Sequence, residues 1–149
     1  MIIFLDFDGV LHPQKPHMPL GDQAFCHLPR FENVVRDYPA IDIVISSTWR
    51  EHRTLAQLQS FFSADIAQRV IGATPIVPDL NGVQPFIREA EILAWLSIAE
   101  RESEPWCALD DTAWLFSPPQ ERLIHCQSYI GFDVDAEMRL RAFLAAKTS

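Results

Sequence analysis

Met1-Ile2-Ile3-Phe4-Leu5-Asp6-Phe7-Asp8-Gly9-Val10-Leu11 is the stretch from which the rest of the chain can be read. Ile2 to Leu5 is an unbroken β-prone apolar run, the mark of a strand buried on both faces. Two aspartates and a glycine then end it abruptly. The same pattern returns in Ile41-Asp42-Ile43-Val44-Ile45, which runs into Ser46-Ser47-Thr48, and in Trp106-Cys107-Ala108-Leu109, which ends at Asp110-Asp111. Shorter strands are expected at Val70-Ile71-Gly72 and Leu123-Ile124-His125. Helical spacing of apolar residues predicts the connecting elements. A short helix opens at Pro29 and stops before Pro39. A second covers residues 51–68, with Leu55, Leu58, Phe62 and Ile66 on one side. The clearest, over 88–100, carries Ile92, Trp95, Leu96 and Ala99, and a last one spans 135–145 with Ala136, Leu140, Phe143 and Leu144. Residues 12–28 and 74–85 are proline-rich and predicted to be irregular loops. Buried strands alternating with amphipathic helices make an α/β fold: a mainly parallel sheet with helices on both faces, as one domain over residues 1–149.

Composition narrows the function. The 149 residues hold 20 Asp and Glu against 12 Lys and Arg, a formal charge of −8, which argues against a broad surface for nucleic acid or anionic membrane. With 48% hydrophobic and 21% charged residues, the chain is not of disordered composition. No apolar run approaches ~18 residues and no basic segment precedes the first one, so neither a membrane span nor a signal peptide is expected. The 3 cysteines, Cys26, Cys107 and Cys126, are widely spaced and odd in number. They point to a reduced, cytoplasmic setting in which they serve as small buried hydrophobes.

The polar residues fall where an open parallel sheet binds ligands, outside the carboxyl ends of its strands. Asp6 and Asp8, Ser46 and Ser47, and Asp110 and Asp111 each follow an apolar run. So many carboxylates in one crevice repel one another unless a cation sits among them. Hard oxygen donors of this kind suit Mg²⁺, which often shares itself with a substrate phosphate.

Asp6-Phe7-Asp8-Gly9-Val10-Leu11 resembles the first motif, DxDGxL, of the haloacid dehalogenase (HAD) superfamily. Ser47 matches the Ser/Thr of the second motif and Asp110-Asp111 the acidic pair of the fourth. More narrowly, Ser46-Ser47-Thr48-Trp49-Arg50, Arg88-Glu89-Ala90-Glu91-Ile92 and Leu109-Asp110-Asp111 are similar to the HAD-like domains of Swiss Army Knife RNA-repair proteins. The resemblance implies a three-layer α/β/α Rossmann-like core and a two-step phosphoryl transfer. Asp6 would form an aspartyl-phosphate, and Asp8 would act as general acid and base. Mg²⁺ would be held by Asp6, the carbonyl of Asp8 and Asp110, with Asp111 orienting one of its waters. Ser47, with Thr48 beside it, would meet a phosphoryl oxygen. The third motif is usually a Lys, but Lys15 and Lys147 are the only lysines and neither follows the order. Arg88 takes the place best, and guanidinium suits phosphate oxygens.

Several residues admit two readings. Ser46 competes with Ser47, because alternation does not settle the register. Arg50 and Arg53 meet a second phosphate or face water. Trp49 fits the core better than a substrate platform. His12 and His17 are expected to be exposed loop residues, and Asp133 and Asp135 a helix cap and a first-turn acid. The intervals after the first and second motifs leave no room for a cap domain, and an open site suits a phosphate on something bulky. The expected partner is therefore a phosphorylated substrate, a polynucleotide end or nucleotide in preference, with a small metabolite or a protein as alternatives. The residues leave oligomeric state open. Of the competing classes, a receiver domain lacks its middle-strand Asp and later Lys. A nucleotide-sugar transferase lacks a nucleotide-binding half before its DxD. A non-catalytic HAD-like binding protein remains, favoured only by the missing Lys.

Overall fold

The computed structural model describes residues 1–79 and 85–148. Residues 80–84 of the second proline-rich loop lie outside the described residues. The strands are β1 (Ile2–Leu5), β2 (Asp42–Ile45), β3 (Val70–Ala73), β4 (Trp106–Asp110) and β5 (Leu123–His125). They form one sheet of order β3-β2-β1-β4-β5. Every pairing is parallel, so the sheet goes beyond the mainly parallel expectation. β1 is central because it has no charge to keep out of the core: all 4 of its residues are fully buried.

Alternation along β1 divides the interior into two. Ile3 and Leu5, with Ile43, Ile45 and Leu109, face the helices α1 (Leu28–Arg36), α2 (Leu55–Gln59), α3 (Ala64–Ala67) and α5 (Val134–Thr148). Ile2 and Phe4, with Val44 and Ala108, face α4 (Ile87–Ile98) through Ile92 and Leu96. The result is the three-layer α/β/α core. Each fully buried Phe, Leu or Ile adds about 1.5–3 kcal/mol from the removal of apolar surface from water.

The chain winds outward from β1 through β2 to β3, then crosses by α4 to β4 on the other side of β1. The switch in direction opens a crevice between β1 and β4 at their carboxyl ends. Pro29 lies in the first turn of α1, where its missing N–H costs nothing. Asp133 caps α5, accepting from Ala136 N–H at 3.0 Å.

The single helix expected over 51–68 is instead a 3-10 turn (Thr48–Glu51), α2 and α3. Side-chain hydrogen bonds cause the breaks. Thr54 and Gln57 form a reciprocal capping box that starts α2. Buried Glu32, on α1, accepts from both the N–H and the hydroxyl of Ser63 at 2.7 Å, holding the chain out of helix just before α3. Leu58, Phe62 and Ile66 still reach the core, but Leu55 is exposed. Cys107 and Cys126 are buried, and burial pushes the Cys126 thiol up to about 12. Cys26 is exposed, contrary to expectation.

Candidate active site

Asp6 continues β1 by donating its N–H to the carbonyl of Leu109 at 3.1 Å, so it sits beside the end of β4. One oxygen each of Asp6, Asp110 and Asp111 lies within 4.8 Å of the others, and all three residues are buried. Asp6 Oδ1 accepts from Phe7 N–H at 2.8 Å, which holds its carboxylate in place. Asp110 Oδ1 accepts from Thr112 N–H at 2.9 Å, while its buried Oδ2 has no hydrogen-bond partner among the described residues. Asp111 is fixed through both oxygens, by the Thr112 hydroxyl at 3.0 Å and the Ser128 hydroxyl at 2.7 Å.

Burial, and then the neighbouring Asp110 charge, hold the Asp6 carboxyl well above its ordinary range. Burial likewise pushes Asp110 up to about 6, against the pull of Arg88. These carboxylates oppose one another's ionisation. A divalent cation bound by hard oxygens would relieve that opposition, and Asp110 Oδ2, which accepts no hydrogen bond among the described residues, is a ligand of the right kind. The three carboxylates therefore fit a metal ion.

Arg88, in the first turn of α4, is buried with them. Its Nη1 donates to the carbonyl of Ser46 and lies 3.3 Å from Asp110 Oδ2 and 3.7 Å from Asp6 Oδ1. Burial works against its charge, but Asp110 and Asp6 prevail and its proton is held more tightly than usual. Lys15, by contrast, lines a neighbouring cleft together with Asp111.

At the end of β2, Ser46 and Ser47 are both buried. Ser47 Oγ accepts from Trp49 N–H at 3.2 Å and so caps the 3-10 turn. Ser46 Oγ has no partner among the described residues. Thr48 is exposed at the start of that turn. Arg50 differs from expectation. Its side chain is 5% exposed, pairs with Glu91 at 2.8 Å, and donates to the carbonyls of Thr74 at 2.8 Å and Ser47 at 3.0 Å. Those bonds tie the ends of β2 and β3 together and withdraw the guanidinium from the expected phosphate set. Arg53 is exposed, with its guanidinium carbon 4.3 Å from the centre of the Trp49 ring.

Asp8 stands apart from the other carboxylates. Gly9, at φ +75°, turns the chain so that Asp8 and His12 meet, His12 Nε2 lying 2.8 Å from Asp8 Oδ1. Trp49 Nε1–H donates to Asp8 Oδ2 at 3.1 Å. The hydrogen bond from His12, then that from Trp49, outweigh burial and hold the Asp8 carboxyl below its ordinary value. His12 is thus fully buried and not the exposed loop residue expected, whereas His17 is exposed. The contact from His12 was missed because it forms inside an irregular loop. That from Trp49 crosses 41 positions of sequence.

Beside Asp111 opens a cleft of about 920 Å³ between residues 14–17 and 125–130. Its walls include Trp114 and Tyr129, which are 74% and 61% exposed.

A parallel sheet of this order, with acids converging from the ends of β1 and β4 and a serine pair at the end of β2, defines a HAD-type α/β domain. The family model for the HAD domain in Swiss Army Knife RNA repair proteins matches residues 2–136, and the chain belongs to that family. No curated protein and no solved structure matches it. Among the described residues, no helix is long and apolar enough to cross a membrane.

Proposed function

We propose that the protein is a Mg²⁺-dependent phosphomonoester hydrolase that works through an aspartyl-phosphate on Asp6. The observation that carries this reading is the convergence of Asp6, Asp110 and Asp111 with the buried guanidinium of Arg88. A carboxylate oxygen of Asp6 attacks phosphorus, and the bond to the leaving alkoxide oxygen breaks as Asp8 gives that oxygen a proton. Water then attacks the same phosphorus while Asp8 takes its proton, releasing inorganic phosphate and restoring Asp6. Acid–base help of this kind is worth ~10²–10⁴-fold. Arg88 pairs with phosphoryl oxygens, and a hydroxyl of Ser46 or Ser47 donates to one of them. Mg²⁺ on Asp6, Asp110 and the Asp8 carbonyl, with Asp111 alongside, would supply Lewis-acid charge neutralisation between nucleophile and phosphate.

The substrate reading is a nucleotide or polynucleotide end. It is supported by the RNA repair proteins named for the family and by the cleft beside Asp111, whose exposed Trp114 and Tyr129 offer stacking faces. The deciding experiment is a phosphatase screen of 3′- and 5′-phosphorylated oligonucleotides, mononucleotides, sugar phosphates and phosphopeptides, with and without Mg²⁺. Turnover that needs Mg²⁺ and vanishes in Asp6→Asn is the expected result. No turnover on any phosphomonoester would favour a non-catalytic binding protein.

A further inference from the structure

We infer that His12 and Trp49 are positioning residues that hold the Asp8 carboxylate in its working orientation, an inference that rests on the acid–base role proposed for Asp8. Each carboxylate oxygen has its own donor, His12 Nε2 at 2.8 Å and Trp49 Nε1 at 3.1 Å. Rotation about the terminal bond of Asp8 would break both bonds. A single donor would leave that rotation open.

The donor on His12 is itself specified. Phe25 N–H donates to His12 Nδ1 at 3.2 Å, so the lone pair lies on Nδ1 and the hydrogen on Nε2. A neutral imidazole in this tautomer presents its one N–H to Asp8. Phe25 adopts φ +57° at this point, a left-handed conformation that bulky side chains seldom take. Backbone strain of that kind persists where the surroundings over-determine it, and it clusters at functional sites.

The surroundings are aromatic. Trp49 packs edge-on against Phe7, Phe25 and Phe61, with ring centres 5.4, 5.4 and 5.5 Å away. The His12 side chain is wholly enclosed, while Asp8 keeps 29% of its side chain exposed. The carboxylate is thus pinned by two protein donors and still accessible. A core histidine with a merely structural role would not need its acceptor to remain exposed.

The test uses Trp49→Phe, which removes one N–H and keeps the ring, with His12→Leu, His12→Gln and Asp8→Ala. Release of the leaving group is followed in single turnovers of an alkyl phosphate and of an activated aryl phosphate, alongside steady-state KM and thermal melting. A misplaced acid penalises the poor leaving group. Trp49→Phe and His12→Leu should slow the alkyl phosphate on the order of ten- to a hundredfold. KM should stay within about twofold, and the aryl phosphate should be nearly unaffected. His12→Gln, which restores an N–H at the Nε2 position, should recover most of the loss. A readout independent of turnover is the indole N–H proton resonance of Trp49, which should move when Asp8 becomes Ala.

Full alkyl phosphate turnover in Trp49→Phe, or equal slowing on both substrates, would overturn the inference. So would an indole resonance indifferent to Asp8→Ala. Failure of His12→Leu to fold leaves Trp49→Phe to decide. If Asp8→Ala itself retains full alkyl phosphate turnover, the acid–base reading falls as well. If it loses turnover while the positioning variants keep it, only the positioning inference falls.

Discussion

One methyl group at Gly9 would strike the site directly. A Cβ there would lie 2.2 Å from Asp111 Oδ2, and the backbone sits at φ +75°. Gly9→Ala should therefore displace Asp111 and lower stability by about 1–2 kcal/mol for the left-handed residue alone. Turnover and urea denaturation, measured together, separate the two effects. The raised carboxyls of Asp6 and Asp110 give a second prediction. A folded-state value above the unfolded ~3.9 means that the native protein binds more protons in that window. The contribution of Asp110 to stability is thus present below about pH 4 and is lost as pH rises through about 6, and that of Asp6 is lost in the same direction. Mg²⁺ should reverse the loss, raising Tm more at about pH 7.5 than at about pH 5. An equal shift at both values would contradict this. Asp6, Asp110 and Asp111 were legible in the sequence because each ends an apolar run, and the end of a strand is visible in composition. His12 and Trp49 were not legible. Their partner is chosen by how a loop folds back, and no periodicity records that.

At the scale of elements, Arg50 and Glu91 bind the ends of β2 and β3 to α4 through a pair whose side chains are 5% and 8% exposed. Burial lowers the hold of Arg50 on its proton, and the Glu91 carboxylate offsets part of that loss. Removing one partner leaves the other buried and uncompensated. Arg50→Met should cost about 3–5 kcal/mol in urea denaturation, and Arg50→Met with Glu91→Leu should recover much of it. A double variant no more stable than the single one would show that the bonds to the strand-end carbonyls, not the ion pair, carry the effect. Sequence reading placed every strand because each is apolar and bounded. It missed the breaks around α2 and α3 because apolar spacing continues through them. The interruptions come from Thr54 and from Glu32, a side chain more than 20 positions from either helix. Nor does sequence show which arginine will be drawn inward, since Arg50 and Arg53 read alike until Glu91 claims one of them.

For the whole molecule, the net charge of −8 and the local site point in different directions. The total argues against a broad nucleic-acid surface, yet the cleft beside Asp111 brings Lys15, Trp114 and Tyr129 together. If the leaving group stacks there, Trp114→Ala should raise KM for a nucleotide about tenfold while leaving a sugar phosphate unchanged, in line with ~1–3 kcal/mol per stacked base. Equal KM changes on both substrates would remove the cleft from substrate binding. The arginine at the head of α4 has a consequence of another kind. A lysine, with an ordinary pKa of ~10.4, gives up its charge more readily on the alkaline side, and with it the countercharge of the proposed phosphate site. Arg88, with its proton held more tightly still by Asp110 and Asp6, keeps its charge well beyond that point. Discharge of its buried cation therefore does not set the alkaline ceiling of the site.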